Sequence, residues 1–218
     1  MLFKSVSTTE LRPSYLSDET LARGIRLLSR RDPDLRRVVR SFGAPPMWAR
    51  EGGFSTLLHI ILEQQVSLAS AKAAHTKLLE VVSPLTPQRF LKLDDATLKA
   101  VGFSRQKTAY GRNLARSIAE GELDLDRLAA MDDAAVRSEL IKIKGIGRWT
   151  ADIYLLMVLR RPDIWPTGDL ALALAAQKLK RLKTRPAPEE LETMSARWKP
   201  WRAVAARILW HYYLSELV

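Results

Sequence analysis

Hydrophobic positions recur every three to four residues along almost the whole chain, which is the spacing of one face of an α-helix. Strict alternation of apolar and polar residues, which marks a half-buried strand, is absent. Segment 149–159 is apolar on nearly every side, so we expect it to form a central buried helix. The pattern predicts an all-α protein.

Capping residues and prolines indicate where these helices begin and how they are grouped. A serine, threonine or aspartate precedes many of the periodic segments and predicts helix N-caps at Ser17, Asp32, Ser67, Thr86, Asp94 and Asp132. We expect two lobes. The central lobe spans 52–161, and the N-terminal helices in 1–51 pack with the C-terminal segment 162–218 in the second lobe.

Charge and composition narrow the functions that such helices could serve. The 218 residues include 35 Lys and Arg against 24 Asp and Glu, a net charge of +11, which favours a polyanionic partner over a merely basic protein. The absence of cysteine excludes disulfides, thiolate zinc sites and iron–sulfur clusters. The three histidines form no H-x-x-x-H pair, so we do not expect a transition-metal enzyme.

No apolar run approaches the length of a membrane span, and the N-terminus lacks the residue order of a signal peptide. We therefore expect a soluble monomer that is neither secreted nor bound to a membrane. In a bacterium it would be cytoplasmic and associated with the nucleoid, and in a eukaryote it would be nuclear.

The most informative motif is a glycine turn between two helical patterns, within about 138–160. Gly145 and Gly147 permit a positive φ and a close approach of phosphate. The helix that follows has N–H groups and a dipole that attract anions. A plain helix C-cap explains one glycine more readily than two. The pattern favours a DNA-binding hairpin, with a structural turn as the alternative, and the residues expected to contact DNA are Lys144, Gly145, Ile146, Gly147 and Arg148.

Asp169 follows a Pro-Thr-Gly turn and precedes an apolar helical pattern. Aspartate is a favoured N-cap, worth ~1 kcal/mol, so a structural cap is one interpretation. A negative charge is also favoured at a helix N-terminus, which suits a group that faces a developing cation. The residues alone leave both interpretations open.

Amide and aromatic side chains supply further candidates for contacts with nucleic acid. Gln64 and Gln65 interrupt an apolar helix and form either a solvated turn or a polar wedge that fills a vacated base stack. Large aromatic side chains usually belong to the core. Trp149, directly after the glycine turn, and Trp210, near the C-terminus, could instead stack on a base.

Three segments, in this order, resemble the helix–hairpin–helix DNA glycosylases, in the branch of bacterial 3-methyladenine DNA glycosylase II: LIKIKGIGRWTADIYLL, PTGDLAL and WKPWRAVAARILWHYY. The resemblance covers roughly 54–213 and implies the two-lobed helical fold of that family, here without the extra N-terminal β domain. It implies that Asp169 is catalytic. The implied substrates are alkylated purines, such as 3-methyladenine and 7-methylguanine, in double-stranded DNA undergoing base excision repair.

The resemblance also implies roles for residues around the hairpin. Gln65 is the expected plug for the gap that the flipped nucleotide leaves. No cofactor is expected for the chemistry, but Na⁺ or K⁺ is expected on the backbone carbonyls of Ile141, Ile143 and Ile146. Bifunctional relatives carry a lysine at the position of Trp149, so the resemblance implies a monofunctional enzyme without AP lyase activity. Ile153 stands where the family has a tyrosine, and the base pocket is expected to include Trp149, Ile153 and Trp210.

Two other functions fit part of this pattern. A non-enzymatic helix–hairpin–helix DNA-binding module would share the glycines and the charge but would have no use for Asp169. A glycosylase for oxidised or deaminated bases would share the motifs and differ in the bases that it releases.

Overall fold

The computed structural model describes residues 14–217, and this part of the chain contains helices and their connections but no β-strand. The all-α prediction is therefore confirmed for these residues. They form α1 Asp18–Arg31, α2 Pro33–Phe42, α3 Phe54–Leu62, α4 Leu68–Val81, α5 Pro87–Leu91, α6 Asp95–Ala100, α7 Arg105–Ala119, α8 Leu125–Leu128, α9 Asp133–Ile141, α10 Arg148–Met157, α11 Leu170–Leu179, α12 Pro188–Ser195, α13 Arg202–Tyr212, a 3₁₀ turn Ala196–Trp198 and a π-helical turn Tyr213–Leu217.

The chain divides into two compact units. The central unit is Arg50–Leu159, and the terminal unit combines Met1–Ala49 with Arg160–Val218. The sequence predicts 52–161 for the central lobe, two residues away at each end. The first thirteen residues of the predicted N-terminal segment lie outside the described residues.

Side-chain caps fix the beginnings of the helices, as the sequence predicts. The Ser17 hydroxyl accepts from the Thr20 N–H at 3.3 Å, and the Thr20 hydroxyl accepts from the Ser17 N–H at 2.7 Å. This reciprocal arrangement satisfies N–H groups that the first turn of a helix cannot bond internally. The other expected caps are also formed, at Asp32, Ser67, Thr86, Asp94 and Asp132.

The core of the central unit is built around α10, which packs against α3 and α9. Every residue from Thr150 to Leu156 is buried, so the predicted central helix is confirmed. One of these residues is charged. Asp152 is 0 % exposed, and its Oδ1 accepts from Nε and Nη2 of Arg137 at 2.8 and 2.7 Å. Leaving a buried carboxylate without its cation is costly, so this pair fixes how α9 and α10 pack together.

The core of the terminal unit is built around α13, whose residues Ala203–Trp210 are all buried. Helices α1, α2 and α11 pack on it. No helix in the described part of the chain combines the length and the apolar character needed to cross a bilayer.

Candidate functional site

The two hairpin glycines have different structural requirements. Gly145 has φ +110°, and a Cβ there would lie 2.6 Å from Cβ of Tyr110 and closer still to its Cγ, so only glycine fits. Gly147 has φ −95° and ψ 179°, which any residue can adopt, and a Cβ there would meet no heavy atom within 4 Å. Packing within the unit therefore explains the first glycine and leaves the second unexplained.

The turn of the hairpin is held through its carbonyl groups. Asn113 donates its amide to the Lys144 carbonyl at 3.2 Å. Gln64 donates Nε2 to the Gly145 carbonyl and to Oγ1 of Thr150, both at 2.9 Å. Side chains from α7 and from the turn after α3 thus fix the backbone of the hairpin before any ligand arrives.

The beginning of α10 is suited to an external anion. Its N-cap is Gly147, which has no side chain to accept a hydrogen bond from the first turn, whereas Asp132 caps α9. Lys144 and Arg148 flank this end of the helix and are both exposed. The N–H groups of the first turn, the helix dipole and the two cations together favour a phosphate.

The two glutamines after α3 differ in environment. Gln64 is partly buried and uses its amide within the unit, in the bonds described above. Gln65 is exposed and has φ +57°, an uncommon backbone conformation for a residue with a side chain. This conformation turns the chain where Gln64 is anchored, so Gln65 is the amide of the pair that the surface presents.

The turn that carries Gln65 is anchored on its N-terminal side. Glu63 accepts from both terminal nitrogens of Arg50, at 2.7 and 3.0 Å. Lys107 donates Nζ to the Leu62 carbonyl, and burial lowers the pKa of this lysine. Burial also lowers the pKa of His59 to about 4, although nearby Glu63 opposes the shift. His59 is therefore neutral at pH 7.

In the terminal unit, Asp169 is the N-cap of α11. The turn before it is closed by the Asp169 N–H, which donates to the Pro166 carbonyl at 3.3 Å, and Gly168 within this turn has φ +85°. Oδ1 of Asp169 accepts from the Leu172 N–H at 2.9 Å. The capping interpretation is therefore confirmed, and it leaves open what else the carboxylate does.

A second hydrogen bond reaches the same carboxylate oxygen from α13. Nε1 of Trp210 donates to Oδ1 of Asp169 at 3.1 Å. The Trp210 ring is 8 % exposed and meets Trp48 edge to face, with the ring centres 6.5 Å apart. Arg207 holds the segment that carries Trp48, because its Nε donates to the Met47 carbonyl at 2.8 Å. A helix cap does not need this second donor, so the indole fixes the orientation of the Asp169 carboxylate.

The expected catalytic and pocket residues belong to two different units. Asp169 and Trp210 are bonded to each other in the terminal unit. Trp149 and Ile153 belong to the central unit, on α10, where Trp149 is partly exposed in the first turn and Ile153 is 2 % exposed.

Several supporting residues are absent from the sequence-based prediction. The missed residues are Tyr110 and Asn113 beside the hairpin, the Arg137–Asp152 pair under it, and the Arg50–Glu63 pair beside Gln65. The sequence could have indicated that Asp152 is paired, because a lone acid in an apolar helix needs a partner. Tyr110 and Asn113 gave none, because each lies more than thirty residues from its partner in the chain.

Comparison with known proteins places these features in a family. The family model of the HhH-GPD superfamily base excision DNA repair proteins matches residues 58–203, which include both glutamines, the hairpin and Asp169. The chain belongs to this superfamily. The match to the HhH-GPD model ends before Trp210, so the donor to Asp169 lies outside the matched range.

Individual HhH-GPD relatives agree with this assignment. YfjP of Bacillus subtilis is 30% identical over 81% of this chain and 64% of its own length. A DNA-3-methyladenine glycosylase of the same organism is 28% identical over 84% and 64%. The chain thus spans a little under two thirds of these two relatives. The solved structure of the Schizosaccharomyces pombe 3-methyladenine DNA glycosylase Mag1 with abasic DNA has a TM-score of 0.84 at 25% identity, covering 89% of this chain and 98% of Mag1.

Proposed function

We propose that this protein is a monofunctional DNA glycosylase that hydrolyses the N-glycosidic bond of alkylated purines flipped out of duplex DNA. The observation that carries the proposal is the Asp169 carboxylate, which caps α11 and is oriented by the Trp210 indole at 3.1 Å. The two similar proteins named as 3-methyladenine DNA glycosylases support the substrate class, and the Mag1 complex supports DNA as the partner.

The chemistry follows from the charge of the damaged base. Alkylation at N3 or N7 makes a purine cationic, so the base leaves readily and needs little acid catalysis. The protein must expose C1′ by flipping the nucleotide, at a cost of a few kcal/mol. It must then stabilise a sugar that develops positive charge. The fixed carboxylate of Asp169 supplies that stabilisation and can accept a proton from the attacking water.

The central unit supplies the grip on DNA in this proposal. A phosphate binds the N–H groups at the beginning of α10, beside Lys144 and Arg148. The amide of Gln65 fills the gap that the flipped nucleotide leaves. Gln64, bonded to the Gly145 carbonyl, then acts within the protein by joining the Gln65 turn to the hairpin.

We propose a monovalent cation on the α9 side of the hairpin. The carbonyl of Ile141 lies at the C-terminus of α9, where carbonyl groups lack helical donors and the dipole attracts cations. The Ile143 carbonyl accepts from the Ile146 N–H at 2.9 Å, and this bond closes the turn that carries the other two proposed carbonyl ligands. We propose that the carbonyls of Ile141, Ile143 and Ile146 hold Na⁺ or K⁺, which would add positive charge next to the bound phosphate.

The substrate class can be tested with duplexes that each carry one lesion. We expect single-turnover release of 3-methyladenine and 7-methylguanine to be faster than release of hypoxanthine or 8-oxoguanine. Aromatic faces such as that of Trp149 attract a cationic ring by roughly 0.5–2 kcal/mol. They make few hydrogen bonds to the edges of a base, so they favour its charge over its exact shape. Faster release of 8-oxoguanine would overturn the alkylation-repair assignment. If the wild type released no base at all, the alternative of a non-enzymatic DNA-binding module would be favoured.

The protein should make abasic sites without cutting the strand. Trp149 follows Arg148 directly, so this position offers no amine for a Schiff base with the sugar. Incubation with a lesion duplex and borohydride should therefore trap no covalent adduct, and cleavage should require added alkali. A trapped adduct would contradict the monofunctional assignment, and Lys144 would be the first lysine to replace.

The Trp210 donor can be removed while a ring is kept. Trp210→Phe should lower single-turnover base release by roughly tenfold or more, because a hydrogen bond to a charged group contributes about 1.5–3 kcal/mol. Affinity for undamaged DNA should stay unchanged. Trp48→Phe is the matched control, since it alters the neighbouring ring but leaves the bond to Asp169. Equal losses in both variants would show that packing matters and the donor does not.

A further inference from the structure

The terminal unit carries a concentration of positive charge at the end of α11 opposite Asp169. Segments 32–41 and 177–185 together contain eight Lys and Arg and only two acidic residues. The two segments lie against each other, because Arg37 donates Nη2 to the Leu179 carbonyl at 3.1 Å. We call the cations other than Lys180 the basic surface: Arg36, Arg37, Arg40, Lys178, Arg181, Lys183 and Arg185.

The two acids of these segments are occupied by bonds that hold the segments together. Asp32 accepts from Lys180 Nζ at 2.7 Å and from Trp198 Nε1 at 2.9 Å. Asp34 lies 3.0 Å from Nη2 of Arg37 and 2.9 Å from Nζ of Lys180. These two acids therefore pair with Lys180 and Arg37, and the two segments together keep a net charge of +6, from eight cations and two acids.

Two open concavities lie among the cations of the basic surface. One concavity, about 720 Å³, is lined by Lys178, Arg181 and Tyr213 among others, and a second, about 600 Å³, by Arg36, Arg37 and Arg40. Cations around a concave surface concentrate the positive potential. Arginine, which makes up most of the basic surface, binds phosphate through two parallel hydrogen bonds.

The basic surface is separate from the residues assigned to the damaged base. Helix α11 has ten residues, so its two ends are roughly 15 Å apart. Asp169 caps one end, and Lys178 and Arg181 lie at the other. None of the residues assigned above to the hairpin, the plug or the pocket belongs to the basic surface.

We propose that the basic surface binds the phosphate backbone of duplex DNA away from the damaged nucleotide and adds affinity that does not depend on sequence or damage. The proposal rests on the proposed function only in taking DNA as the partner. Phosphate binding positions a protein on DNA without reading bases, so this surface would serve the search for damage and leave the chemistry unchanged.

The test compares two triple variants that remove the same charge from the terminal unit. The test variant combines Arg40→Gln, Lys178→Gln and Arg181→Gln. Each of these three residues belongs to the basic surface and is exposed. The control is Arg23→Gln with Arg26→Gln and Arg30→Gln, exposed residues of α1. Affinity for an undamaged duplex of about 40 base pairs is measured across a salt series, together with single-turnover release from a lesion duplex at saturating protein.

The test variant should bind the undamaged duplex on the order of tenfold more weakly. Its affinity should also depend less steeply on salt, by about one unit of slope for each phosphate that the variant no longer neutralises. Base release at saturation should match the wild type. Wild-type affinity in the test variant, or an equal loss in the control, would overturn the proposal. If the wild type released no base, the proposed function would fail, while the salt series would still decide whether this surface binds DNA.

Discussion

Asp169→Asn should abolish base release while the fold and the affinity for DNA are kept. Asparagine retains an oxygen that can accept from the Leu172 N–H and from the Trp210 indole, so the cap bond and the indole bond both survive. What disappears is the negative charge, which in the proposed mechanism faces the developing positive charge of the sugar. Charges oriented in this way contribute on the order of 10²–10³ or more to the rate, so we expect at least that loss in single-turnover release.

The structure supplies the control for this substitution. Asp169→Ala removes the cap as well as the charge and should also lower the free energy of unfolding by ~1 kcal/mol. Comparing the two variants separates the loss of charge from the loss of the cap. Base release at the wild-type rate by the Asn variant would remove the Asp169 charge from the mechanism and leave the residue as a structural cap.

Gly145→Ala should damage the hairpin itself. The added Cβ would lie 2.6 Å from Cβ of Tyr110 and closer still to its Cγ, and the backbone would be strained at φ +110°. Tyr110 cannot swing away from an overlap at its own Cβ, so the hairpin backbone must move. We expect a loss of stability of about 1–3 kcal/mol and a loss of binding to damaged and undamaged duplexes alike.

Gly147→Ala is the matched control, because its Cβ would meet nothing within the protein. The melting temperature should fall less than in the Gly145 variant, because no clash arises and the cost within the protein is that alanine is a poorer N-cap than glycine. Binding should still weaken for every duplex if the backbone at Gly147 touches phosphate, as the hairpin assignment requires. Wild-type binding by this variant would show that DNA does not approach Gly147, and a loss confined to lesion DNA would contradict a backbone contact.

Local patterns in the sequence predicted the beginnings of many helices, the turn of the hairpin and the cap at Asp169. The caps at Ser17, Asp32 and Asp169 could be predicted because a cap is decided by residues three positions apart. The burial of α10 could be predicted because its apolar residues are contiguous. The hairpin could be located because glycine is the residue that the turn requires.

The remaining features depend on packing between distant parts of the chain. The sequence offered Trp210 as a stacking face, but the structure directs its N–H at a carboxylate forty-one residues away. It grouped Gln64 with Gln65, but the amide of Gln64 bonds to the Gly145 carbonyl eighty-one residues away. Neither role has a periodic or motif signal, because each arises only when the helices pack.

The order of the two units along the chain has a consequence for synthesis. The central unit is one continuous stretch, so a growing chain can complete the hairpin once residue 159 has emerged. Asp169 acquires its indole partner only when residue 210 has been made. A chain that stops between these points would hold the hairpin but lack the group that orients the carboxylate. Under the proposed function, such a fragment would keep the expected phosphate contacts and lose base release, so every truncation between residues 159 and 210 should be inactive.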